Sequence, residues 1–502
     1  MLPFLNETSE NTKKYVVNFR GLNLGEGYQD GDFSNTENVS SVLAPCLTQR
    51  YGRTLEATYG VPRALHAKDG LVVIDGTAVK YNGAVVGTVT DGRKQIATVG
   101  NYVVIFPDKV YYNVATGEFG SMDIAYSGTA TFTDSTIKGA SAFGFRAGDA
   151  VTISGCSTSP ENNKTVIIRG VNGDTLTFYS NTFTAGTEDA VTIKREVPDL
   201  DYICESNYRL WGTKGNTIYG SKYSDPFNFQ VFDGLTGDSY YIDVGSDGEF
   251  TGCIPYSSHI CFFKEHTLHK LYGSKPSNFQ IVTSQVYGVQ AGSERSMRVI
   301  NETLLYKGVG GVYAYAGGVP ELISSCFATT RFSDACAESD GERYYISMRN
   351  GSEWSLFVYD VLRNLWLRED DTNCVDMAFC NGYVYLLSAD GGLYKVDPAA
   401  GKADMAWSAT FCPFTETINE RKVYSKFHLR MELGAGAWLK VETRLDNSPR
   451  WQTVFTTHNE RSRTVTVPVM PGRCDSVEIR LSGKGECLLR TFVREFQVGS
   501  DV

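Results

Sequence analysis

Residues 206–230 carry a phrase that the chain uses again. It runs turn, strand, tight turn, strand, loop. Ser206-Asn207 opens it, a strand is expected at 208–212, Lys214-Gly215-Asn216 turns, and a second strand is expected at 217–221. The loop closes on Asn228-Phe229-Gln230-Val231. About fifty residues later the same order returns. His269-Lys270-Leu271-Tyr272-Gly273-Ser274-Lys275 echoes Ile218-Tyr219-Gly220-Ser221-Lys222, and Asn278-Phe279-Gln280-Ile281 echoes the closing loop. Two echoes in one order, with a similar gap, mark an internal repeat. A repeat of this size restricts the chain to architectures that stack one small unit many times.

Further copies follow the same grammar. Asp69-Gly70 precedes 71–74, Gly100-Asn101 precedes 102–106, and Asn301-Glu302 precedes 303–306. Asp340-Gly341 leads into 343–347, and Asn381-Gly382 into 383–387. Second turns come at Pro107-Asp108, Gly310-Gly311 and Gly391-Gly392. Between 258 and 382 the anchors recur about every forty residues, the period of a four-stranded propeller blade. A lone four-stranded sheet leaves apolar faces in water, and packing blades around an axis buries them. The expected fold is all-β, a β-propeller of about seven blades. Helical periodicity is scarce, and Trp211, Tyr219, Phe263, Tyr272, Tyr345, Trp366 and Tyr385 are the expected fillers between sheets.

The rhythm breaks twice. Residues 1–60 read as an extended N-terminal arm, with Gly25, Gly27 and Gly31 interrupting regular structure. Residues 61–126 hold the first two units. Residues 127–195 follow another pattern, with Asn172-Gly173-Asp174 as a hairpin turn, and read as an inserted small β-barrel or sandwich. Residues 196–400 resume the propeller. Residues 401–502 carry longer strands at 425–433, 438–445, 451–456, 463–469, 476–481 and 487–496, punctuated by Pro449, Pro468 and Pro471. They read as a C-terminal β-sandwich or a final blade with a sandwich attached.

The formal net charge of -10 argues against a general nucleic-acid binder, which needs basic surface to displace counterions. It is compatible with a conduit that DNA passes without being gripped, whose lumen is neutral or acidic. No apolar run approaches the length of a membrane span, so no membrane insertion is expected. Met1-Leu2-Pro3-Phe4-Leu5-Asn6-Glu7 lacks the basic start and long apolar stretch of a leader. The twelve cysteines form no CxxC pair and read as reduced, buried thiols, as in a reducing cytoplasm.

Chemistry has few footholds. His266 and His269 stand three apart, which on a strand points them to opposite faces. The stretch 25–32 lacks the alternating acids and closing Glu of a calcium loop. Glu369-Asp370-Asp371 and Asp199-Leu200-Asp201 are acidic clusters, read as exposed turn acids. Ser388-Ala389-Asp390-Gly391-Gly392 begins a sialidase-type turn, but Lys395 stands where the aromatic belongs. Tyr111-Tyr112, Tyr240-Tyr241 and Tyr344-Tyr345 read as strand packing, not as a carbohydrate platform. No catalytic, cofactor-binding or metal residue is assigned, and no enzyme activity is expected.

An ordered set of stretches resembles a family. Glu205-Ser206-Asn207-Tyr208-Arg209-Leu210-Trp211-Gly212, Ile218-Tyr219-Gly220-Ser221-Lys222 and Asp225-Pro226-Phe227-Asn228-Phe229 are similar to a segment of phage stabilisation proteins. These are virion proteins of tailed bacteriophages and prophages, related to the tail-hub propellers that close the head-to-tail channel. Phe262-Phe263-Lys264-Glu265 with 268–273, Phe357-Val358-Tyr359-Asp360 with Asn364-Leu365-Trp366, and Gly499-Ser500-Asp501-Val502 resemble the same family. Leu43-Ala44-Pro45 and Arg50-Tyr51-Gly52-Arg53 fit its N-terminal arm. The resemblance implies a structural virion protein without catalytic residues. It implies a homo-oligomeric ring, commonly a hexamer, at the tail or portal vertex, touching portal, adaptor or other tail proteins and passively the genomic DNA. Assembly would take place in the host bacterial cytoplasm. The alternative is a propeller that binds or degrades carbohydrate, as a receptor binder or depolymerase.

Overall fold

The computed structural model describes residues 11–139, 141, 143–402, 404–458, 463–470 and 472–498. The leader reading at residues 1–7, Pro471 and the closing stretch Gly499-Ser500-Asp501-Val502 lie outside the described residues.

The chain is all-β. Among the described residues seven sheets have four strands, and each is a run of hydrogen-bonded neighbours. Sheet 1 holds Pro62–Ala67, Leu71–Asp75, Ala78–Tyr81 and Ala84–Thr88. Sheet 2 holds Gln95–Val99, Tyr102–Phe106, Val110–Asn113 and Phe119–Ser121. Sheet 3 holds Tyr202–Ser206, Arg209–Lys214, Thr217–Gly220 and Tyr240–Asp243. Sheet 4 holds Phe250–Tyr256, His259–Lys264, Thr267–Tyr272 and Gln280–Gln285. Sheet 5 holds Arg298–Ile300, Thr303–Gly308, Gly311–Tyr315 and Glu321–Leu322. Sheet 6 holds Ser333–Ser339, Arg343–Asn350, Glu353–Asp360 and Leu365–Asp370. Sheet 7 takes Cys374–Cys380, Tyr383–Ser388 and Gly392–Asp397, and its fourth strand is Gly52–Thr58, from the other end of the chain.

The second strands explain the apolar runs in the sequence. Side chains alternate between faces, so a strand covered on both faces is apolar throughout. In Tyr102–Phe106, Val103 and Ile105 pack with Val72 and Ile74 of sheet 1. Val104 and Phe106 pack with Ile203 and Leu210 of sheet 3. In Arg209–Lys214, Leu210 belongs to that same cluster, whereas Trp211 points the other way, onto Phe262 and Leu271 of sheet 4. Of the expected fillers, Trp211, Phe263, Tyr345 and Trp366 are buried, and Tyr219, Tyr272 and Tyr385 are half-buried.

The echoed motif has a mechanical basis. A Cβ at Gly220 would come within 2.6 Å of the Trp211 ring, so only glycine lets the third strand pass the indole. Gly273 occupies the matching position for a different reason. Its φ is +116°, and a Cβ would meet the Asn278 carbonyl oxygen at 2.6 Å. The echoed asparagines both close the following loop. Asn228 accepts the Lys222 amide through its carbonyl at 2.8 Å, and the Asn278 side chain accepts the Ser274 and Lys275 amides, both at 3.0 Å.

The chain divides into two compact units. One comprises Met1–Thr58, Gly310–Ala314 and Glu321–Val502; the other comprises Tyr59–Val309 and Tyr315–Pro320. In the second unit, the first strands of sheets 1 to 4 lie against one another in sequence order. The strands between Ile124 and Arg195 form a seven-stranded sheet by themselves. It curls around its own core of Phe132, Ile137, Val151, Ile153, Leu176 and Val191. Ile124 pairs with Arg195, so the segment leaves and rejoins the chain at adjacent points.

In the first unit, the first strands of sheets 6 and 7 lie together over a core including Tyr345, Leu356, Met377 and Leu386. Two larger sheets share a second core. One centres on Lys422–Leu433 and Cys487–Val498, the other on Ala406–Phe411, Trp438–Leu445 and Val477–Lys484. Phe427 and Phe492 from one meet Phe411 and Leu481 from the other. The extended-arm reading of residues 1–60 is corrected here. Thr12–Val16 and Leu47–Gln49 pair with Cys487–Val498, and Asp32–Glu37 pairs with Ala406–Phe411. The glycines do interrupt the segment, but short strands between them satisfy their backbone groups on terminal sheets.

Candidate functional site

The residues that drew attention in the sequence do not converge. His269 is buried in sheet 4, with its ring nitrogens 2.8 Å from Ser246 Oγ and 2.9 Å from Thr283 Oγ1. Burial and then the nearby Lys264 ammonium lower its pKa to about 4, so the ring is neutral at pH 7. His266 is exposed in the preceding turn. In the 25–32 loop, Asp32 accepts from Arg20, Asn23 and the Gln29 amide, and Asp30 accepts from Arg494 at 2.7 Å. These carboxylates tie the chain to itself. Asp390 caps its own turn by accepting the Gly392 amide at 3.1 Å. Among the described residues no group of three or more His, Cys, Asp or Glu is placed to hold a metal ion. None of the twelve cysteines is in a disulfide and ten are buried; burial pushes the Cys261 and Cys374 thiols up to about 12.

The reading of 369–371 as exposed turn acids is corrected for Glu369 and Asp370; Asp371 is exposed, as read. Glu369 and Asp370 end the last strand of sheet 6 and lie against Arg53, from the strand that completes sheet 7. Arg53 Nη2 is 2.6 Å from Glu369 Oε2, and Nη1 is 2.7 Å from Asp370 Oδ2. Arg50 stands 3.6 Å and 3.4 Å from the same carboxylates. Burial opposes the charge on Arg53, but Glu369 and Asp370 outweigh it and raise its pKa. Burial also opposes the charge on Asp370, and Arg53 leads the groups that hold its pKa low. The arrangement is a clamp on the chain's closing strand. Asp199 and Asp201 remain on the surface, 2.9 Å from Lys109 and Lys214 respectively.

A cavity of about 430 Å³ is a niche the sequence did not disclose. It opens where the first strands of three consecutive sheets begin. Gln95, Tyr202 and Phe250 are the first residues of those strands in sheets 2, 3 and 4. Arg93 and Glu294 line it as a bonded pair. Glu294 is buried and accepts Arg93 Nε at 2.9 Å and Gln95 Nε2 at 2.8 Å on one oxygen. Burial, then the Glu294 charge, push Tyr202 up to about 12, so its phenol stays protonated and can donate. These groups can hydrogen-bond a small polar molecule. The lining residues contain no Ser or Cys nucleophile and no His base. Arg93 and Glu294 are 201 residues apart, and no local motif announces the pair.

No family model matches this sequence, and no curated protein matches it. Solved structures are similar only in part. An extracellular domain from B. thetaiotaomicron, assigned to a hybrid two-component system, is 11% identical with a TM-score of 0.37, over 90% of this chain and 63% of its own. Hsv2 from Kluyveromyces lactis is 13% identical with a TM-score of 0.28, over 43% of this chain and 62% of its own. An exo-β-1,3-galactanase from Phanerochaete chrysosporium is 10% identical with a TM-score of 0.23, over 58% of this chain and 94% of its own.

Proposed function

We propose that this chain is a structural virion protein of a tailed bacteriophage. Its seven four-stranded sheets are the blades of a propeller, with Gly52–Thr58 completing the last blade. The two terminal sheets form a sandwich, and the 124–195 sheet is an insertion. Copies assemble into a ring, six-fold in the simplest case, at the portal or tail vertex. The ring stabilises the packaged genome and forms part of the DNA channel.

One observation carries the reading. The stretches that resemble phage stabilisation proteins are framework, not chemistry. Trp211 and Phe262 share one inter-sheet core, and Phe227 and Phe229 another. Asn228 is buried and donates to Asp225 at 2.6 Å and to Asp149 at 3.0 Å. Trp366 donates to the Ile323 carbonyl at 2.9 Å. Such residues hold a shape. The net charge of -10 fits a channel that does not hold phosphates.

Sedimentation velocity of the full chain over a range of concentrations tests this. The proposal expects a discrete species several times heavier than the 55.4 kDa chain. A monomer at every concentration that depolymerises a bacterial polysaccharide would overturn it in favour of the carbohydrate-active alternative.

A further inference from the structure

A second cavity, of about 290 Å³, lies where the inserted sheet meets the loop between the third and fourth strands of sheet 3. Ile167, Arg169 and Tyr179 come from the insertion, and Gln230, Phe232 and Asp233 from the loop. Two of its three aromatic side chains are open, while Phe178 is buried. Tyr179 is 64% exposed and Phe232 53%. Tyr241, 57% exposed, extends the surface, with its ring centroid 5.7 Å from that of Phe232 in an edge-on arrangement. The sequence reading of Tyr240-Tyr241 as strand packing therefore fails for Tyr241. Its strand is the fourth of sheet 3, and its side chain falls on the uncovered face.

The polar groups between these rings are fixed. The Arg169 guanidinium lies 3.8 Å from the Tyr179 ring centroid and 3.1 Å from the Asp233 carboxylate. A planar cation stacked on a ring and bonded to a carboxylate keeps little freedom, so its remaining donors are oriented in advance. The Gln230 carboxamide borders the same space.

We propose that this groove binds a carbohydrate, with a pyranose ring lying on Phe232 or Tyr179 and its hydroxyls bonded to Arg169, Asp233 and Gln230. A pyranose has an apolar face of C–H groups and a rim of neighbouring hydroxyls. Open aromatic faces suit the first, and planar two-atom donors and acceptors suit the second. The core of a protein interface also favours aromatic residues and Arg, but it is depleted in acidic groups such as Asp233. Single-stranded nucleic acid also stacks on aromatic rings, but it needs cationic side chains for its phosphates. The single cation among the lining residues is already neutralised by Asp233. The proposal gives the insertion a role of its own and does not depend on the ring.

Saturation-transfer NMR on the full chain tests it, with glucose, galactose, mannose, N-acetylglucosamine and a short oligothymidylate as separate probes. At least one sugar should receive saturation at its ring C–H protons. Tyr179→Ala and Phe232→Ala should each weaken that sugar's binding about tenfold, the loss usual for a central contact residue. Both side chains are exposed, so circular dichroism should not change. Tyr15→Ala, at an exposed tyrosine on the N-terminal strand, should bind as the parent does. Silence from all four sugars, transfer that survives both groove substitutions, or preference for oligothymidylate would each overturn the proposal.

Discussion

Arg53→Met should open the last sheet. Arg53 sits on the strand that completes sheet 7, and its side chain is 9% exposed. Its partners Glu369 and Asp370 are 8% and 20% exposed. At an effective dielectric of about 20, each contact at this range contributes about 4 kcal/mol of attraction, largely offset by the desolvation of the ions. Removing the cation leaves the desolvated carboxylates behind. Breaking one side of a buried pair costs about 3–5 kcal/mol, and Arg50, less closely placed, recovers part of that. The expected loss is about 3 kcal/mol in urea unfolding followed by circular dichroism. Adding Glu369→Gln restores one cation to one carboxylate, Arg50 with Asp370, and should recover most of the loss. The sign with pH follows from Asp370. Its folded pKa lies below its unfolded value, so its contribution is complete above about pH 4 and fades as pH falls through the folded pKa. Parent and variant should therefore converge in strong acid. A loss under about 1 kcal/mol at pH 7, the range of an exposed pair, would refute the reasoning.

Other consequences can be checked separately. Trp211→Ala should cost about 3–5 kcal/mol, because the indole is 1% exposed between sheets 3 and 4; a change within about 1 kcal/mol would mean those sheets do not close on it. Joining Ile124 to Val197 through a short Gly/Ser linker should leave a soluble, β-rich protein, since the excised sheet carries its own core; insolubility would place it in the framework. His269 should show no titration between pH 8 and about 5.5 by NMR. Its folded pKa lies below the unfolded value, so stability should decline as pH drops from about 6.5 toward 4; an imidazole midpoint near 6.5 would contradict its burial. Duplex DNA should bind more weakly than micromolar at about 150 mM salt; tighter, steeply salt-dependent binding would expose a basic gripping face.

The sheets were legible because their second strands announce themselves. A strand covered on both faces must be apolar at every position, and a turn must bound it. The sequence therefore places 102–106 where the strand Tyr102–Phe106 stands. Pairings across hundreds of residues were not legible. Nothing in Arg50-Tyr51-Gly52-Arg53 tells that its strand completes a sheet begun at Cys374, because a fourth strand is half-covered and carries a weak pattern. The acids at 369–370 looked like turn acids for the same reason: their partners are more than three hundred residues away. The Arg93–Glu294 niche and the Tyr179–Phe232 groove are likewise long-range products. Single exposed aromatics and single charges look ordinary until the fold brings them together.

Negative-stain class averages of the purified full chain test the proposed ring-forming virion propeller. Closed rings of one subunit number are expected, six in the simplest case, each with a stain-filled central channel wide enough for duplex DNA. Uniform single particles of monomer size, with no ring at any protein concentration, would contradict it.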